Sequence, residues 1–448
     1  MLLSNYLFYA CLCIGMLSFA NRLQAQTSYC IGGRFSQNYT FDSSQIKITT
    51  DVPYAISERW PSQITDTLKL DVFEPDPAID SLDKRPFILL IHGGAFLAGN
   101  RRDMHYQCME YARRGFVAAT ISYRLGWNCS ATDLLGVCIL CQGENYKLQT
   151  ATYRAAQDAR AALRFMSTHA ADYGIDTAWI FTGGESAGSI TAMHATFWNQ
   201  QEADVFAPWA AGEVGLLDTA GNNLPAGYTI KGIIDNCGAV SRDTIMLNNG
   251  NIPVISFHDE NDCVVPTNTA QVISCTCQAF YWASGSSVIH SKMINAGLCH
   301  EMNLLPVSIN HCSYPTWNLV KRASCFLKRI LCNNCEPGLN TGIVTVACDT
   351  LQQTETAIPV IKAGTDYPVS VFPNPATGPL TLDLSNLSHL FPVRVTIADA
   401  TGRLVAEEND VSQVRYSIDK LPAIAGTYFI GVSAAGGQVS KVKVTILP

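Results

Sequence analysis

The pentapeptide Gly184-Glu185-Ser186-Ala187-Gly188 is the strongest chemical signal in the sequence. It follows an apolar run that predicts a buried strand and precedes a stretch that predicts a helix. Small residues on both sides of the serine permit a sharp strand-to-helix turn, which would leave the Ser186 hydroxyl exposed at the helix N-terminus. An ordinary glycine-rich turn is the alternative. The setting favours Ser186 as a nucleophile.

A second glycine-rich segment, residues 92–96 with the sequence HGGAF, also follows a continuous apolar run. Glycines allow the backbone to approach a substrate carbonyl and to aim N–H groups at the negative charge that develops on its oxygen. We therefore predict the backbone N–H groups of Gly94, Ala95 and Ala187 as an oxyanion hole. His92, at the end of the strand, is expected to orient this loop.

A serine nucleophile needs a general base, and the base needs a carboxylate to orient it. Asp262 lies just beyond the apolar strand 253–257, in a turn that also contains Asp259 and Glu260. We favour Asp262 because it stands last, at the mouth of the loop. Asp259 and Glu260 are expected to be solvated turn residues.

Two of the nine histidines compete for the role of base, His300 and His311. The apolar run 302–309 predicts a strand, which places His300 at its start and His311 just past its end. Because Ser186 and Asp262 also follow strand ends, His311 is the favoured base and His300 the alternative. The other histidines, including His169 and His194, are expected at the surface or in packing.

The elements that must position these residues alternate along the chain from about residue 68 to residue 332. Short apolar, β-branched runs separated by helical stretches are typical of a mostly parallel sheet with helices on both faces, an α/β fold. The further predicted strands are 68–73, 87–91, 116–122, 179–182 and 230–234, and the predicted helices are 101–114, 151–166, 285–296 and 317–331. Two insertions, 126–149 and 200–228, are candidates for lids or pocket walls.

Composition excludes several classes of protein. The 448 residues are 48% hydrophobic and 15% charged, which excludes disorder as the main state. The net charge of −7 and the lack of a basic cluster disfavour a nucleic-acid partner. Outside the N-terminus, no apolar run approaches the roughly 18 residues of a membrane-spanning helix, so we expect none in the mature chain.

Residues 2–20 form an apolar stretch of the length of a secretory signal, and Ala25 stands at a plausible cleavage site. We therefore predict a signal peptide at residues 1–25. No Lys or Arg precedes the stretch, so an uncleaved membrane anchor is the alternative.

The C-terminal part differs in composition and predicts a separate domain. Its last 80 or so residues contain no cysteine, and alternating runs at 393–397 and 428–432 are typical of strands in a small β-sandwich. The predicted organisation is a catalytic domain at 26–335, a linker at 336–367 and an all-β domain at 368–448.

The 17 cysteines point to an oxidising compartment or to metal sites. Two lie in the predicted signal, which leaves an odd number. The pairs Cys138-x-x-Cys141 and Cys332-x-x-Cys335 have zinc-site spacing, but disulfides are favoured in an exported protein. Local placement suggests a Cys237–Cys263 bridge that would pin the Asp262 loop, and a tie from Cys312 to a neighbouring loop.

Residues 60–332 resemble the α/β-hydrolase fold, and within it the carboxylesterase and lipase group. The chain order Ser186, Asp262, His311 matches that fold. The segments that carry the family resemblance, in order, are 92–96, 123–126, 158–164 and 184–188. The resemblance implies hydrolysis of a small or polymer-linked ester through an acyl-enzyme, with no cofactor and no metal. The catalytic domain is shorter than that of the long carboxylesterases, so substrate preference is not implied.

Two other functions stay open from the sequence. One is a serine peptidase of the same fold, which would normally bring a β-propeller or a substantial cap. The other is a non-catalytic binding protein on a hydrolase scaffold, a class that typically loses the nucleophile, whereas Ser186 is present.

The tail resembles the C-terminal sorting domain of the type IX secretion system. The segments that carry this resemblance are 371–375, 397–402 and 421–428, followed by a basic strand with Lys441 and Lys443. The resemblance implies the secretion machinery as a partner, and a secreted or outer-surface location in a Gram-negative bacterium. A carbohydrate-binding or adhesive β-sandwich is the alternative.

Overall fold

The structure is a computed structural model. It describes residues 28–447, apart from 31, 61–63, 128–143, 248–249, 274–279, 345, 347, 349–368, 375, 377, 400–403, 419–424 and 435–436. The chain divides into two compact units, Met1–Gln352 and Gln353–Pro448. The predicted signal peptide and most of the predicted linker lie outside the described residues.

A nine-stranded sheet organises the larger unit, in the order β1-β2-β4-β3-β5-β6-β8-β11-β12. Its strands are β1 (Ile46–Glu58), β2 (Thr65–Pro75), β3 (Arg85–Ile91), β4 (Val117–Ile121), β5 (Ile175–Glu185), β6 (Ile230–Asn236), β8 (Val254–Asp259), β11 (His300–Leu305) and β12 (Gly338–Thr341). The pairs β1–β2 and β2–β4 are antiparallel, and the remaining pairs are parallel. A small antiparallel sheet joins β7 (Ala239–Val240), β10 (Trp282–Gly285) and β9 (Thr269–Gln271).

Two apolar cores lie on the two faces of the large sheet. The helices are α1 (His105–Arg113), α2 (Asn145–Thr168), α3 (Ala187–Phe197), α4 (Gln200–Phe206), α5 (Ala210–Val214), α6 (Ser286–Asn295) and α7 (Thr316–Leu331). Leu89 of β3 packs in the core that contains α2 and α3, while the next residue, Leu90, packs in the core that contains α1 and α7. Strands buried on both faces read as continuous apolar runs. The predicted fold class is therefore confirmed.

Some element boundaries differ from the predictions. Helix α2 begins at Asn145, six residues before its predicted start, and the predicted insertion 200–228 contains the short helices α4 and α5. The predicted strand 302–309 ends at Leu305, because Pro306 cannot donate to the ladder and Val307 has a φ of 54°. The loop that carries His311 therefore begins earlier than expected.

The smaller unit is all-β, as predicted. One sheet contains β13 (Ser370–Phe372), β14 (Leu380–Asp383) and β17 (Arg415–Ile418), and the other contains β16 (Leu404–Val411), β15 (Val393–Asp399), β18 (Gly426–Ala434) and β19 (Gly437–Ile446). Alternate residues such as Val395 and Ile397 point into a core that belongs to this unit alone.

Disulfides connect distant parts of the larger unit. The described pairs are Cys30–Cys332, Cys237–Cys312, Cys299–Cys335 and Cys325–Cys348, and Cys263 is also disulfide-bonded. Both cysteines of the Cys332-x-x-Cys335 pair are therefore in disulfides, which excludes them from a zinc site. Cys138 and Cys141 lie outside the described residues.

The predicted Cys237–Cys263 bridge is wrong. Cys237 pairs with Cys312, and their Cα atoms are 5.3 Å apart. The loop after β11 turns back over the sheet edge, so it carries Cys312 to the end of β6. The predicted tie of Cys312 to a neighbouring loop is confirmed.

One free cysteine in the structure agrees with the odd number of cysteines expected in the mature chain. Within the described ranges, Cys108 is the free cysteine, and it is fully buried on the inner face of α1. None of the helices in these ranges is both long enough and apolar enough to cross a bilayer.

Candidate active site

Ser186 stands at the sharp turn between β5 and α3, with φ 53° and ψ −120°. A Cβ atom at Gly184 would overlap the backbone of Gly188, and one at Gly188 would overlap the carbonyl oxygen of Ile91. Only glycine fits at these two positions. The turn thus accounts for the G-x-S-x-G pattern: it holds the serine in a strained conformation that presents its side chain above the sheet edge.

The structure brings the three sequence candidates together in one hydrogen-bonded chain. His311 Nε2 lies 2.8 Å from Ser186 Oγ, and His311 Nδ1 lies 2.6 Å from Asp262 Oδ2. Since a carboxylate can only accept, Nδ1 carries the hydrogen and Nε2 is free to accept from the serine hydroxyl. This is the arrangement of nucleophile, base and orienting carboxylate that acyl transfer requires.

Asp262 is buried and remains a carboxylate. Its Oδ1 accepts hydrogen bonds from the N–H groups of Val264 and Val265, at 2.8 and 3.2 Å. Burial alone would raise the pKa of Asp262, but hydrogen bonds from His258 and His311 outweigh it and lower the pKa to about 2. The carboxylate therefore stays charged wherever His311 acts as a base.

Asp259 and Glu260 do not contact Ser186 or His311, but they hold the loop that carries His311. Asp259 is fully buried, so the expectation of a solvated turn residue is wrong for it. Its carboxylate accepts from the Ser308 hydroxyl at 2.5 Å and from the Ser313 N–H at 2.8 Å. Glu260 accepts from the Val307 N–H at 2.6 Å.

His300, the alternative base, lies away from Ser186. It is fully buried at the start of β11, where its Nε2 contacts Ser256 Oγ at 3.0 Å and its Nδ1 contacts His290 at 2.8 Å. Burial lowers its pKa well below the usual value. The opposite end of β11 leads to the loop with His311, so the two histidines are separated by the length of the strand.

The loop after β3 contains Gly94 and Ala95, two of the three residues predicted to form an oxyanion hole. Gly94 and Ala95 both have positive φ values, 106° and 52°. Across the described residues, neither of their N–H groups donates a hydrogen bond. The N–H of Ala187, at the first position of α3, has no intrahelical acceptor. Among the described residues, no backbone acceptor pairs with these three N–H groups, so the oxyanion hole stays a prediction.

His92 supports this loop, as expected. Its ring stacks on Tyr123 with 4.4 Å between the ring centroids, and its Nδ1 lies 2.7 Å from the carbonyl oxygen of Gly93. The Tyr123 hydroxyl donates to the His92 carbonyl oxygen at 3.0 Å. These contacts fix the entry of the loop.

A small apolar cavity of about 20 Å³ opens beside Ser186. Its walls include Phe96, Leu148, Ile190, Val265, Val272 and Tyr281. None of its lining residues comes from the loop with His311. The cavity has room for little more than one water-sized group, so a carbonyl carbon held at Ser186 could place only a small apolar substituent such as a methyl group in it.

His258 is a site residue that sequence reasoning missed. It is fully buried near the end of β8, and its Nε2 lies 3.4 Å from Asp262 Oδ2. The available signal was its position four residues before Asp262, at the end of a buried strand.

The Cys237–Cys312 disulfide lies directly beside the hydrogen-bonded chain, since Cys312 follows His311 and Cys237 follows β6. The two sulfur atoms lie within 4.8 Å of a ring nitrogen of His311. Sulfur atoms in a disulfide are not thiolates, so they are not the ligands that a metal would require.

Replacing both Cys237 and Cys312 by alanine is expected to lower the free energy of unfolding by roughly 2–4 kcal/mol. It should also lower kcat/KM, because the loop with His311 loses its covalent tie to β6. Denaturant titration and ester hydrolysis measure the two effects. The matched control replaces Cys299 and Cys335, which should cost stability but leave kcat/KM near that of the wild type. Equal kinetic losses in both double variants would contradict the local role.

Comparison with known proteins confirms both resemblances noted in the sequence. Residues 32–207 match the model of the carboxylesterase family, and residues 370–446 match the model of the secretion system C-terminal sorting domain. One segment of the chain is thus similar to the carboxylesterase family and another to the sorting domain, and the second likeness indicates secretion or a cell-surface location.

Individual relatives are distant. Gut esterase 1 of Caenorhabditis elegans is 28% identical over 137 residues, which are 29% of this chain and 21% of that protein. The chain therefore spans about a fifth of the length of this curated relative. Esterase 2 of Thermogutta terrifontis is 17% identical with a TM-score of 0.41, covering 65% of this chain and 97% of that one. A truncated carbohydrate esterase from gut microbiota is 17% identical with a TM-score of 0.41, and the match covers 66% of this chain and 99% of that one.

Proposed function

We propose that this protein is a secreted serine hydrolase that cleaves carboxylic esters through an acyl-enzyme on Ser186. One observation carries the proposal: the hydrogen-bonded chain from Ser186 through His311 to Asp262 lies beside the unpaired N–H groups of the loop after β3. A nucleophile, a base with a fixed tautomer and an anion site are the components that acyl transfer needs.

In the first half of the reaction, His311 Nε2 takes the proton of Ser186 as Oγ attacks the ester carbonyl carbon. The carbonyl oxygen gains negative charge and accepts hydrogen bonds from the N–H groups of Gly94, Ala95 and Ala187. Asp262 stabilises the imidazolium that forms. His311 then donates the proton to the alcohol oxygen, which departs and leaves the acyl group on Ser186.

In the second half, water occupies the place of the alcohol. His311 takes a proton from the water as its oxygen attacks the acyl carbon, and the same N–H groups bind the oxyanion. Collapse breaks the bond to Oγ, and His311 returns the proton to Ser186. The products are a carboxylic acid and the free enzyme, and every proton transfer uses side chains of this chain.

A substrate panel tests the proposal. The full chain would be assayed on p-nitrophenyl esters of increasing acyl length, acetylated and feruloylated sugars, triglycerides, and anilides with the same acyl groups. We expect hydrolysis of at least one ester class, with the matched anilide cleaved far more slowly. Comparable cleavage of the anilides would indicate a peptidase. Absence of turnover on the whole panel would indicate a binding protein.

The location follows from the two ends of the chain. We propose that residues 1–25 are a signal peptide cleaved after Ala25, and that the sorting domain at 368–448 delivers the protein to the secretion machinery. The domain boundaries 26–335 and 336–367 belong to the same proposal. The separate core of the smaller unit supports the assignment of this segment as a domain of its own.

Deleting residues 368–448 is expected to leave an active enzyme in the periplasm. The larger unit keeps its own cores and disulfides, so it should retain esterase activity. Esterase activity would be measured in the periplasm and culture medium of cells producing the full or the shortened chain. Normal export of the shortened chain would refute the sorting role and favour an adhesive or carbohydrate-binding domain.

A further inference from the structure

His258 lies between two buried carboxylates in the part of the site beneath Asp262. Asp262 approaches its Nε2 at 3.4 Å, and Asp235, at the end of β6, lies beyond Ser286 on the other side. All four side chains are buried, each less than a tenth exposed. No step of the proposed reaction uses His258, Ser286 or Asp235.

The hydrogen-bond pattern determines how many protons His258 carries. Its Nε2 lies 2.9 Å from the carbonyl oxygen of Val265, which can only accept, so Nε2 bears a hydrogen. Its Nδ1 lies 2.7 Å from Ser286 Oγ. The Ser286 hydroxyl donates its single hydrogen to Asp235 Oδ2 at 2.8 Å, so the hydrogen between Ser286 and His258 belongs to Nδ1.

Asp235 is arranged as an acceptor on both oxygens. Its Oδ1 accepts from the Ser189 hydroxyl at 2.5 Å and from the Gly238 N–H at 2.9 Å, in addition to the Ser286 bond at Oδ2. Every hydrogen-bonding group around His258 is therefore consistent with two N–H donors on the ring.

From this geometry we infer that His258 is a buried imidazolium at neutral pH and acts as a positioning residue for the Ser186–His311–Asp262 chain. It holds Asp262 Oδ2 at the distance that His311 needs, and its positive charge offsets one of the two buried carboxylates. Asp235, His258 and Asp262 together then carry a net charge of about −1, so His311 faces the charge of one carboxylate rather than two. This role rests on the proposed function, whereas the charge state of His258 does not.

The electrostatic surroundings agree with a charged ring. Burial opposes the imidazolium, but the Asp262 hydrogen bond and the charges of Asp235 and Asp262 outweigh it, so the pKa of His258 lies above its usual value. The charged groups that face the ring are Asp262, in the loop after β8, and Asp235 from β6, and the titratable ring of His311 lies beyond Asp262. A buried cation is tolerated only when it is paired in this way.

The charge state is tested directly by NMR of the full chain labelled with ¹⁵N-histidine, with the His258 signals assigned by comparison with His258→Gln. Both ring nitrogens of His258 are expected to be protonated at about pH 7.5, where an ordinary histidine ring is mostly neutral. An unprotonated ring nitrogen at that pH would overturn the inference, even if the protein hydrolyses esters.

The positioning role is tested by pH profiles of kcat/KM on p-nitrophenyl acetate. Loss of the cation in His258→Gln should move the acid limb, which reports protonation of the base, upward by about one pH unit or more. The double variant His258→Gln/Asp235→Asn removes both opposite charges and should return the limb toward the wild-type position. A lower kcat with an unmoved acid limb in the single variant would overturn the electrostatic role, while esterase activity in the wild type would still support the proposed function.

Discussion

Replacement of Ser186 by alanine is expected to abolish ester hydrolysis, with kcat/KM on p-nitrophenyl acetate falling by more than about a thousandfold. Without Oγ, His311 has no hydroxyl to activate, and an acyl-enzyme cannot form. The substitution removes a single hydroxyl group and opens little space, so the fold should persist. The apolar cavity and the N–H groups of the loop after β3 remain, and they account for any residual rate over water.

The control for this variant is Ser324→Ala. The hydroxyl of Ser324 donates to the Val320 carbonyl oxygen within α7, and among the described contacts it forms no hydrogen bond with Ser186, Asp262 or His311. It should keep wild-type activity, and thermal unfolding should show that both variants are folded. Residual activity of Ser186→Ala above about a thousandth of wild type would indicate that another residue is the nucleophile.

Asp262→Asn is expected to lower kcat by about ten-thousandfold while leaving substrate binding nearly unchanged. The asparagine amide can donate to His311 Nδ1, which favours the tautomer with the hydrogen on Nε2. That tautomer cannot accept the proton of Ser186. The variant also removes the negative charge that stabilises the imidazolium in the transition state, and it leaves His258 without its carboxylate partner.

Glu260→Gln is the matched control, because Glu260 lies two residues away and contacts the same loop. Its carboxylate binds only the Val307 N–H among its described contacts, so the loss should stay below about tenfold. Steady-state kinetics on one ester would compare the two variants. Similar losses in both would mean that the turn supports the fold and that Asp262 is not the orienting carboxylate.

The sequence was informative about the fold because its signals are local. Runs such as residues 87–91 are apolar without a break, which predicts a strand buried on both faces. The turn at Ser186 requires glycine at positions 184 and 188, so five consecutive residues are enough to predict its geometry. The placement of Ser186, Asp262 and His311 after strand ends followed from the parallel sheet, whose carboxyl ends share one edge.

What the sequence did not reveal depends on contacts between distant segments. The pairing of Cys237 with Cys312 depends on the path of the loop after β11, which no local pattern specifies. His258 contacts Ser286 from α6, and Ser286 contacts Asp235 from β6, so the charge state of the ring emerges only once three elements are packed.

Asp259 shows the same limit. Three acidic residues within four positions suggest a solvated turn, yet Asp259 is buried. Ser308 and Ser313, in the loop after β11, cover its carboxylate and donate hydrogen bonds to it. By contrast, Pro306 was a readable signal for the early end of β11, since proline lacks the N–H that a central strand needs.

The central claim, that Ser186 is the nucleophile of a serine hydrolase, is tested most directly by covalent labelling. The full chain would be treated with a fluorophosphonate, which phosphonylates activated serines with loss of fluoride, and digested for mass spectrometry. We expect one phosphonyl group per chain, on the peptide that contains Ser186, together with loss of esterase activity, and no label on Ser186→Ala. Labelling of a different residue, or full esterase activity without any label, would contradict the account.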